Sequence, residues 1–315
     1  MNPGIHCINS ESENPFFNLA LEEILLKKRP GDYFILSVNR PSVIIGKHQI
    51  AHRESDTRYV NENNIPVIRR ISGGGTVYHD HGNLNFSFIV NSEEGKQIDF
   101  RKYTNPVADF LISRGVEARF EGRNDLRVNG FKISGNAEHV FRKRVLHHGT
   151  LLFDASVDAL GGSLRKDLSC YISKSVDSVP SMVTNICGII NGISDINSLR
   201  TEMMNYFLDN LPLAQAYNLS ENEKHEAQLA ATDKYMTWEW NYAYGPEYHF
   251  ARNFNYSGNK VTCRLYVKDG IIRECILDGS QQLKSLQDNL KGTRHMPDAL
   301  KDVIGIDDLD VYNFF

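Results

Sequence analysis

The sequence predicts an α/β protein, α+β in its tail: a large mixed-sheet domain over residues 1–245 and a small α+β module over residues 246–315. Three observations carry this. Short apolar runs with strand character alternate with helical patterns over the first half of the chain. The pattern then turns helical from about Leu160 to Glu239. Finally, Gly245-Pro246 breaks the chain ahead of a hairpin-and-helix pattern. At 315 residues the chain suits one large domain with a small appendage, and it shows no internal repeat or low-complexity tract.

The elements follow in order. "NPFFNLALEEILLKKRPG" reads as a helix, because Phe17, Leu21, Ile24 and Leu25 recur at helical spacing and Pro30-Gly31 supplies a stop. Glu22 and Glu23 early and Lys27 to Arg29 late align with the helix dipole. "YFILSV" and "SVIIG", separated by "NRP", read as strands, as do "IPVIRR" and "LNFSFIV". "NPVADFLISRG" suits a helix ending at Gly115, and "HGTLLFD" a short strand. Beyond the breaker, "KVTCRLYV" and "IIRECIL" make a hairpin around Asp269-Gly270, and "QQLKSLQDNL" a helix. That tail of about 70 residues sits near the lower end of independently folding size. The aromatic run around Trp238 and Trp240 reads as core or interdomain packing.

Composition narrows the class without naming a function. Hydrophobic residues are 41% and charged residues 23%, which excludes disordered, collagenous and membrane compositions. A formal charge of -4 and a pI near 6.3 provide no global basic field, so nucleic acid is not expected as a partner. No apolar run approaches the roughly 20 residues that span a bilayer, and the start lacks a basic then apolar leader, so the reading is cytoplasmic with no membrane partner. Cys7, Cys170, Cys187, Cys263 and Cys275 are scattered, without a C-x-x-C pair, and read as reduced, mostly buried thiols.

Two stretches could do chemistry. In "IRRISGGGTVYHDHGNLNFSFI", glycines 73, 74 and 75 permit positive φ and close approach of a ligand to the backbone. Arg70 can add a fork of donors, and together they describe an anion cradle. The competing reading is a tight turn between strands with Arg69 and Arg70 solvated. The stretch is neither a Walker A loop nor a Rossmann fingerprint. In "GRNDLRVNGFKISG", Asn129-Gly130 signals a hairpin pairing Val128 with Phe131, Arg127 with Lys132, and Leu126 with Ile133. Leu126, Val128, Phe131 and Ile133 then face the core, and Asp125, Arg127, Lys132 and Ser134 share the other face. Asp125 lies diagonally opposite Lys132, about 7 to 8 Å away backbone to backbone. Its competing reading is a surface ion pair, against which Gly122 and Gly135 suggest close approach of something to this face. His79, His81, His147 and His148 could in principle assemble a metal site, although helical i, i+4 spacing is missing. No G-x-S-x-G elbow exists, and Cys170 is the one cysteine in a polar setting that could serve as a nucleophile.

Taken in order and at these separations, "RRISGGGTVYHDHGNLN", "GRNDLRVNGFKISG", "HHGTLLFD" and "TWEWNYAYG" resemble the lipoate-protein ligase family, over most of residues 14 to 245. The resemblance implies an adenylating enzyme: lipoate and MgATP give lipoyl-AMP and pyrophosphate, and the lipoyl group passes to a lysine of an acceptor lipoyl domain. It implies an α/β catalytic domain related to biotin protein ligases and a small C-terminal domain that moves between the half-reactions. By the same resemblance Arg70, Gly75, Thr76, Val77 and Tyr78 bind ATP and the adenylate. Lys132 contacts both the lipoate carboxylate and the AMP phosphate. Ser72, Gly73, Gly74, His79 and His148 shape the lipoyl tunnel, with Leu19 and Val43 as apolar lining. Asp125 is read either as a magnesium ligand or as the group that orients Lys132. Implied acceptors are lipoyl domains of 2-oxoacid dehydrogenase complexes and the glycine cleavage H protein. Many bacterial ligases read "SVRSRVTN" where this chain reads "SVPSMVTN" at residues 178–185, a version similar to that of lipoyltransferases. A lipoyl or octanoyl transferase without ATP chemistry therefore stands as the alternative, and a non-catalytic lipoyl- or carrier-binding protein as the reading from another class.

Overall fold

The computed structural model describes residues 4–92, 98–122, 124–179 and 181–315. Its centre is an eight-stranded mixed sheet. The strand Asp32–Val38 pairs in parallel with Ile5–Asn9 and antiparallel with Asn83–Asn91. Asn83–Asn91 then pairs with Arg144–Leu152, which pairs with Phe131–Phe141. The hairpin strands Asp125–Val128 and Arg119–Glu121 complete that edge, and Gln215–Ala216 the other. Alternation assigns the two faces. Phe34, Leu36, Leu84, Phe86 and Phe88 pack against the helices Phe100–Ser113 and Ile196–Asn210. Tyr33, Ile35 and Ile89 pack against Pro15–Lys28 and the segment containing Ala227, Ala231 and Tyr235. Helices on both faces explain why these central strands read as nearly continuous apolar runs.

A three-stranded sheet stands beside this layer, with Ser42–Ile45 between Val67–Arg69, parallel to it, and Val77–His79, antiparallel. Val43, Ile45, Val67 and Tyr78 pack on one side with Ala51, Val60 and Ile65. Ile44 and Ile68 face the other side.

Several expectations are corrected. The first helix forms as expected, capped by Asn14 with Pro15 at its start, but no acidic residue occupies its first turn. Glu22 and Glu23 are mid-helix and turn inward. Glu23 accepts hydrogen bonds from Lys27, Lys234 and Tyr235. The span from Leu160 to Glu239 is only partly helical, because residues 164–195 are mostly irregular. Serine and aspartate side chains there satisfy nearby backbone groups, as Asp167 does for Ser169 N and Ser173 for Ser175 N.

The C-terminal unit contains two hairpins. Tyr248–Tyr256 and Asn259–Lys268 meet at Ser257-Gly258, and Ile271–Asp278 follows Asp269-Gly270; all four turn residues have positive φ. The first hairpin is unexpected from the sequence, because its strand Tyr248–Tyr256 begins inside the aromatic run. Ser285 separates the "QQLKSLQDNL" segment into Gln281–Lys284 and Leu286–Leu290, and a further helix, Pro297–Ile304, closes on the left-handed Gly305. Tyr171–Ile172 adds an edge strand, and Ile50 and Tyr171 enter the core of this unit. Trp238 packs under the turn at Gly270, where a Cβ would lie 2.6 Å from its ring. No helix among the described residues is long and apolar enough to cross a membrane.

Candidate active site

The glycine loop is not a hairpin turn. The strands it joins lie on opposite sides of Ser42–Ile45, so the loop must cross the end of that strand. Contact there is backbone to backbone: a Cβ on Gly46 would sit 2.1 Å from Gly74 O, and Gly74 itself has φ of 85°. Arg70 organises the crossing. Only 5% exposed, it donates from Nε to Ser72 Oγ (2.9 Å), from one terminal nitrogen to Ile44 O (3.1 Å), and from the other to Gly73 O (2.6 Å) and Gly75 O (2.7 Å). Burial pushes its guanidinium down to about 10, with Glu22 opposing the shift. Arg69 is also fully buried. It donates to the carbonyls of Gly46, Lys47 and Gln49 and to those of Trp240 and Asn241, while Trp240 Nε1 donates to Arg69 O. The alternative of solvated arginines on a plain turn is thereby overturned.

A polar cluster holds the far end of the loop. Thr76 N–H donates to Ser178 Oγ (2.9 Å) and its hydroxyl to Gln49 Oε1 (2.9 Å). Ser178 donates to the carboxylate of Glu54, which is 3% exposed and whose pKa is raised by burial. Ser178 thus opens the "SVPSMVTN" segment as a bracket on the loop. Pro180 lies outside the described residues, and Met182 is exposed.

The lysine hairpin forms with one change of register. Val128 pairs with Phe131 and Arg127 with Lys132, but a bulge makes Leu126 face Ser134 and Asp125 face Gly135. Leu126, Val128 and Ile133 are buried as expected, whereas Phe131 is 41% exposed, because the turn carries it past the core. Lys132 Nζ meets Asp125 Oδ1 at 2.9 Å, and Arg127 meets Asp125 Oδ2 at 2.9 Å. The pair is no ordinary surface bridge: side-chain exposures are 24% for Lys132 and 16% for Asp125. Residues 181–184 run alongside, with Lys132 N–H donating to Met182 O and Arg127 to Ser181 Oγ. The glycine expected to admit a visitor admits the lysine itself, since a Cβ on Gly135 would lie 2.8 Å from Lys132 Cε and Nζ. Nothing lies within 4 Å of a Cβ on Gly122, which serves a turn at φ 65°.

One cavity of about 740 Å³ joins loop and hairpin. Arg70, Gly73, Gly74, Gly75, Thr76 and Val77 line one wall, and Asp125 and Lys132 another. Leu19, His79 and His148 line it as well. Ser72 is fully buried behind this surface, hydrogen-bonded to His148 Nε2 at 2.6 Å. Val43 and Tyr78 do not reach it. Strand alternation turns both to the opposite face of the small sheet, and Ile44 occupies the wall instead. Applied strictly, that alternation would have selected Ile44 and Val77. Nothing in the sequence signals Asn39, Gln49 or Glu54, which act through contacts distant in the chain.

The histidines do not converge. His148 Nδ1 faces Glu22 (2.9 Å), His147 is buried between Glu138 and Asn136, His81 is exposed beside Glu13, and His79 Nδ1 accepts from Asn39 (3.0 Å). Among the described residues no three His, Cys, Asp or Glu side chains could hold a metal together. Cys170 packs beside the C-terminal core and is not part of the cavity wall.

The lipoyl protein ligase A/B catalytic domain matches residues 14–208. The chain belongs to the lipoyl protein ligase A/B family. It is 34% identical over 313 residues to lipoate-protein ligase 1 of Staphylococcus aureus, covering 98% of this chain and 94% of that one. It also superposes on a bipartite lipoate protein ligase from Thermoplasma acidophilum, described with its E2 lipoyl domain (TM-score 0.64, 26% identity, 76% of this chain and 96% of that one). A lipoate-protein ligase A bound with ATP superposes similarly (TM-score 0.63, 25% identity, 76% and 98%). This lipoyl protein ligase family member is an enzyme with lipoate-protein ligase activity. Transfer without ATP is not favoured.

Proposed function

We propose that Lys132 is the group on which both half-reactions of this ligase turn. The observation that carries the reading is the placement of its ammonium: held by Asp125, folded over Gly135, and sharing one cavity with the glycine loop. When a lipoate carboxylate oxygen attacks the α-phosphorus of ATP, two anions meet and pyrophosphate departs. A fixed cation between them lowers the cost of both approach and charge build-up. The N–H groups of Gly73 to Gly75 and the fixed positive charge of Arg70 behind them are assigned to the nucleotide. Arg70 acts there by shaping the loop, since its donors are already bonded to loop carbonyls. In the second half-reaction a neutral lysine amine attacks the acyl carbon and AMP leaves.

Asp125 is the carboxylate of this wall nearest Lys132. Magnesium would neutralise the departing pyrophosphate, yet both Asp125 oxygens already meet cations, which suits orienting Lys132 better than ligating a metal. No step here runs through the metal. The acceptor class we assign is the lipoyl domain of 2-oxoacid dehydrogenase complexes, with the glycine cleavage H protein as a second member, acting in the cytoplasm. Residues 246–315 are assigned as the accessory domain, hinged near Gly245.

The test is lipoate-dependent exchange of labelled pyrophosphate into ATP, run on the native protein and on Lys132→Ala. Exchange that requires lipoate and disappears in the variant supports the reading. Unchanged exchange in a folded variant would remove Lys132 from the centre of the site.

A further inference from the structure

His79 lines the cavity near the first helix yet is only 6% exposed, and a chain of side chains fixes which of its nitrogens carries the proton. The chain starts at a group that can only accept. Asn18 Nδ2 donates to the backbone carbonyl of Ser12 (2.7 Å) and to Asn39 Oδ1 (2.7 Å), while Asn18 Oδ1 accepts from Ser10 Oγ (2.8 Å). Asn39 Oδ1 is therefore an acceptor, so its amide nitrogen must donate, and the 3.0 Å contact makes His79 Nδ1 the acceptor. The proton is left on Nε2. Among the described residues no protein group meets that nitrogen. Burial, Arg70 and His148 also hold the ring neutral, pushing its pKa down to about 3.

We infer that the Asn18–Asn39–His79 relay presents one fixed N–H donor to the tail of the acyl substrate, and that this donor selects a sulfur-bearing ring over a plain alkyl chain. The inference rests on the ligase reading. With the carboxylate at Lys132, the tail extends along Leu19, Ile44 and Val77 toward His79. A dithiolane sulfur is a weak acceptor there, whereas the terminal methyl of octanoate leaves a buried N–H unpaired. Sites built around a buried polar group discriminate most strongly against the analogue that cannot pair with it. His79 is then a specificity residue, and Asn39 and Asn18 are positioning residues acting through its tautomer.

The test compares lipoate with octanoate, both by calorimetric binding and by kcat/KM for pyrophosphate exchange, in the native protein, His79→Phe and Asn39→Leu. We expect the native preference for lipoate to fall about tenfold in both variants, because lipoate loses its donor and octanoate no longer strands one. The ¹⁵N shifts of His79 in the native protein should show an unprotonated Nδ1 and a protonated Nε2, a readout that needs no variant to fold. An equal loss for both acids, or a proton on Nδ1, would overturn the proposal. If neither acid supports exchange, the ligase reading fails, and the binding ratio and the tautomer still decide this one.

Discussion

The two walls of the cavity are built on opposite plans. In the glycine loop the donors that frame the crossing are bonded to the protein: Arg70 bonds four groups, Thr76 N–H is taken by Ser178, and Gly46 and Gly74 touch backbone to backbone. In the lysine hairpin a single half-covered ammonium rests on one carboxylate that it shares with Arg127. The first plan fixes a surface and the second keeps a charge available. A binding wall gains from preorganisation, because ordering costs are met during folding. A group that must follow a reacting centre gains from a partner it can release.

If that contrast is right, the hairpin should be expensive to alter in rate and inexpensive in stability. Lys132→Ala should lower lipoate-dependent exchange by about a thousandfold, while thermal melting shows a loss of about 1 kcal/mol or less, because Asp125 keeps Arg127 as its partner. Gly74→Val tests the other wall. A β-branched residue at φ 85°, with its Cβ 3.1 Å from Arg70, should displace the loop and cost roughly a hundredfold in adenylation, with the protein still soluble and folded. Normal kinetics would remove the cradle from the mechanism. Arg70→Lys should reverse the pattern seen at Lys132: stability falls by about 2–3 kcal/mol in denaturant titration, because the carbonyls of Gly73, Gly75 and Ile44 lose their shared fork.

The smallest effect expected is a pH slope. His79 sits at about 3 and His139 and His295 at about 4, each depressed from 6.5 mainly by burial. Between those values and 6.5 the unfolded chain takes up protons that the folded chain refuses. Their stabilisation is complete above about pH 6.5 and is lost as pH falls toward 4. The melting temperature should therefore decline from pH 7 to pH 5, and a flat profile would show these rings to be freely protonated in the fold.

Much of the fold was legible because local and tertiary preferences agree. The first helix, the Asn129-Gly130 and Asp269-Gly270 turns and the paired Asp125 and Lys132 could all be read from spacing. Failures came where a residue's role is set by partners far along the chain. Glu22 reads as a helix-dipole residue but bonds His148, 126 positions away. Arg70 reads as a donor to an anion, with solvated arginines as the competing reading, since nothing nearby announces that Arg69 bonds the carbonyls of Trp240 and Asn241 or that Arg70 organises the crossing over Ser42–Ile45. Tyr78 and Val43 were misplaced for a simpler reason: a resemblance names a stretch, and only the strand's two-residue period says which side chains of it turn inward.

Gly135 separates two properties of Lys132 that most substitutions confound. A methyl at that position would occupy the space where the ammonium now lies, 2.8 Å away, without altering any charge in the wall. Gly135→Ala would swing the amine outward at little cost to the fold, since a long side chain yields easily. The width of one missing methyl group thus sets the reach of the only lysine that lines the chamber among the described residues, and so how near a phosphate its charge can come.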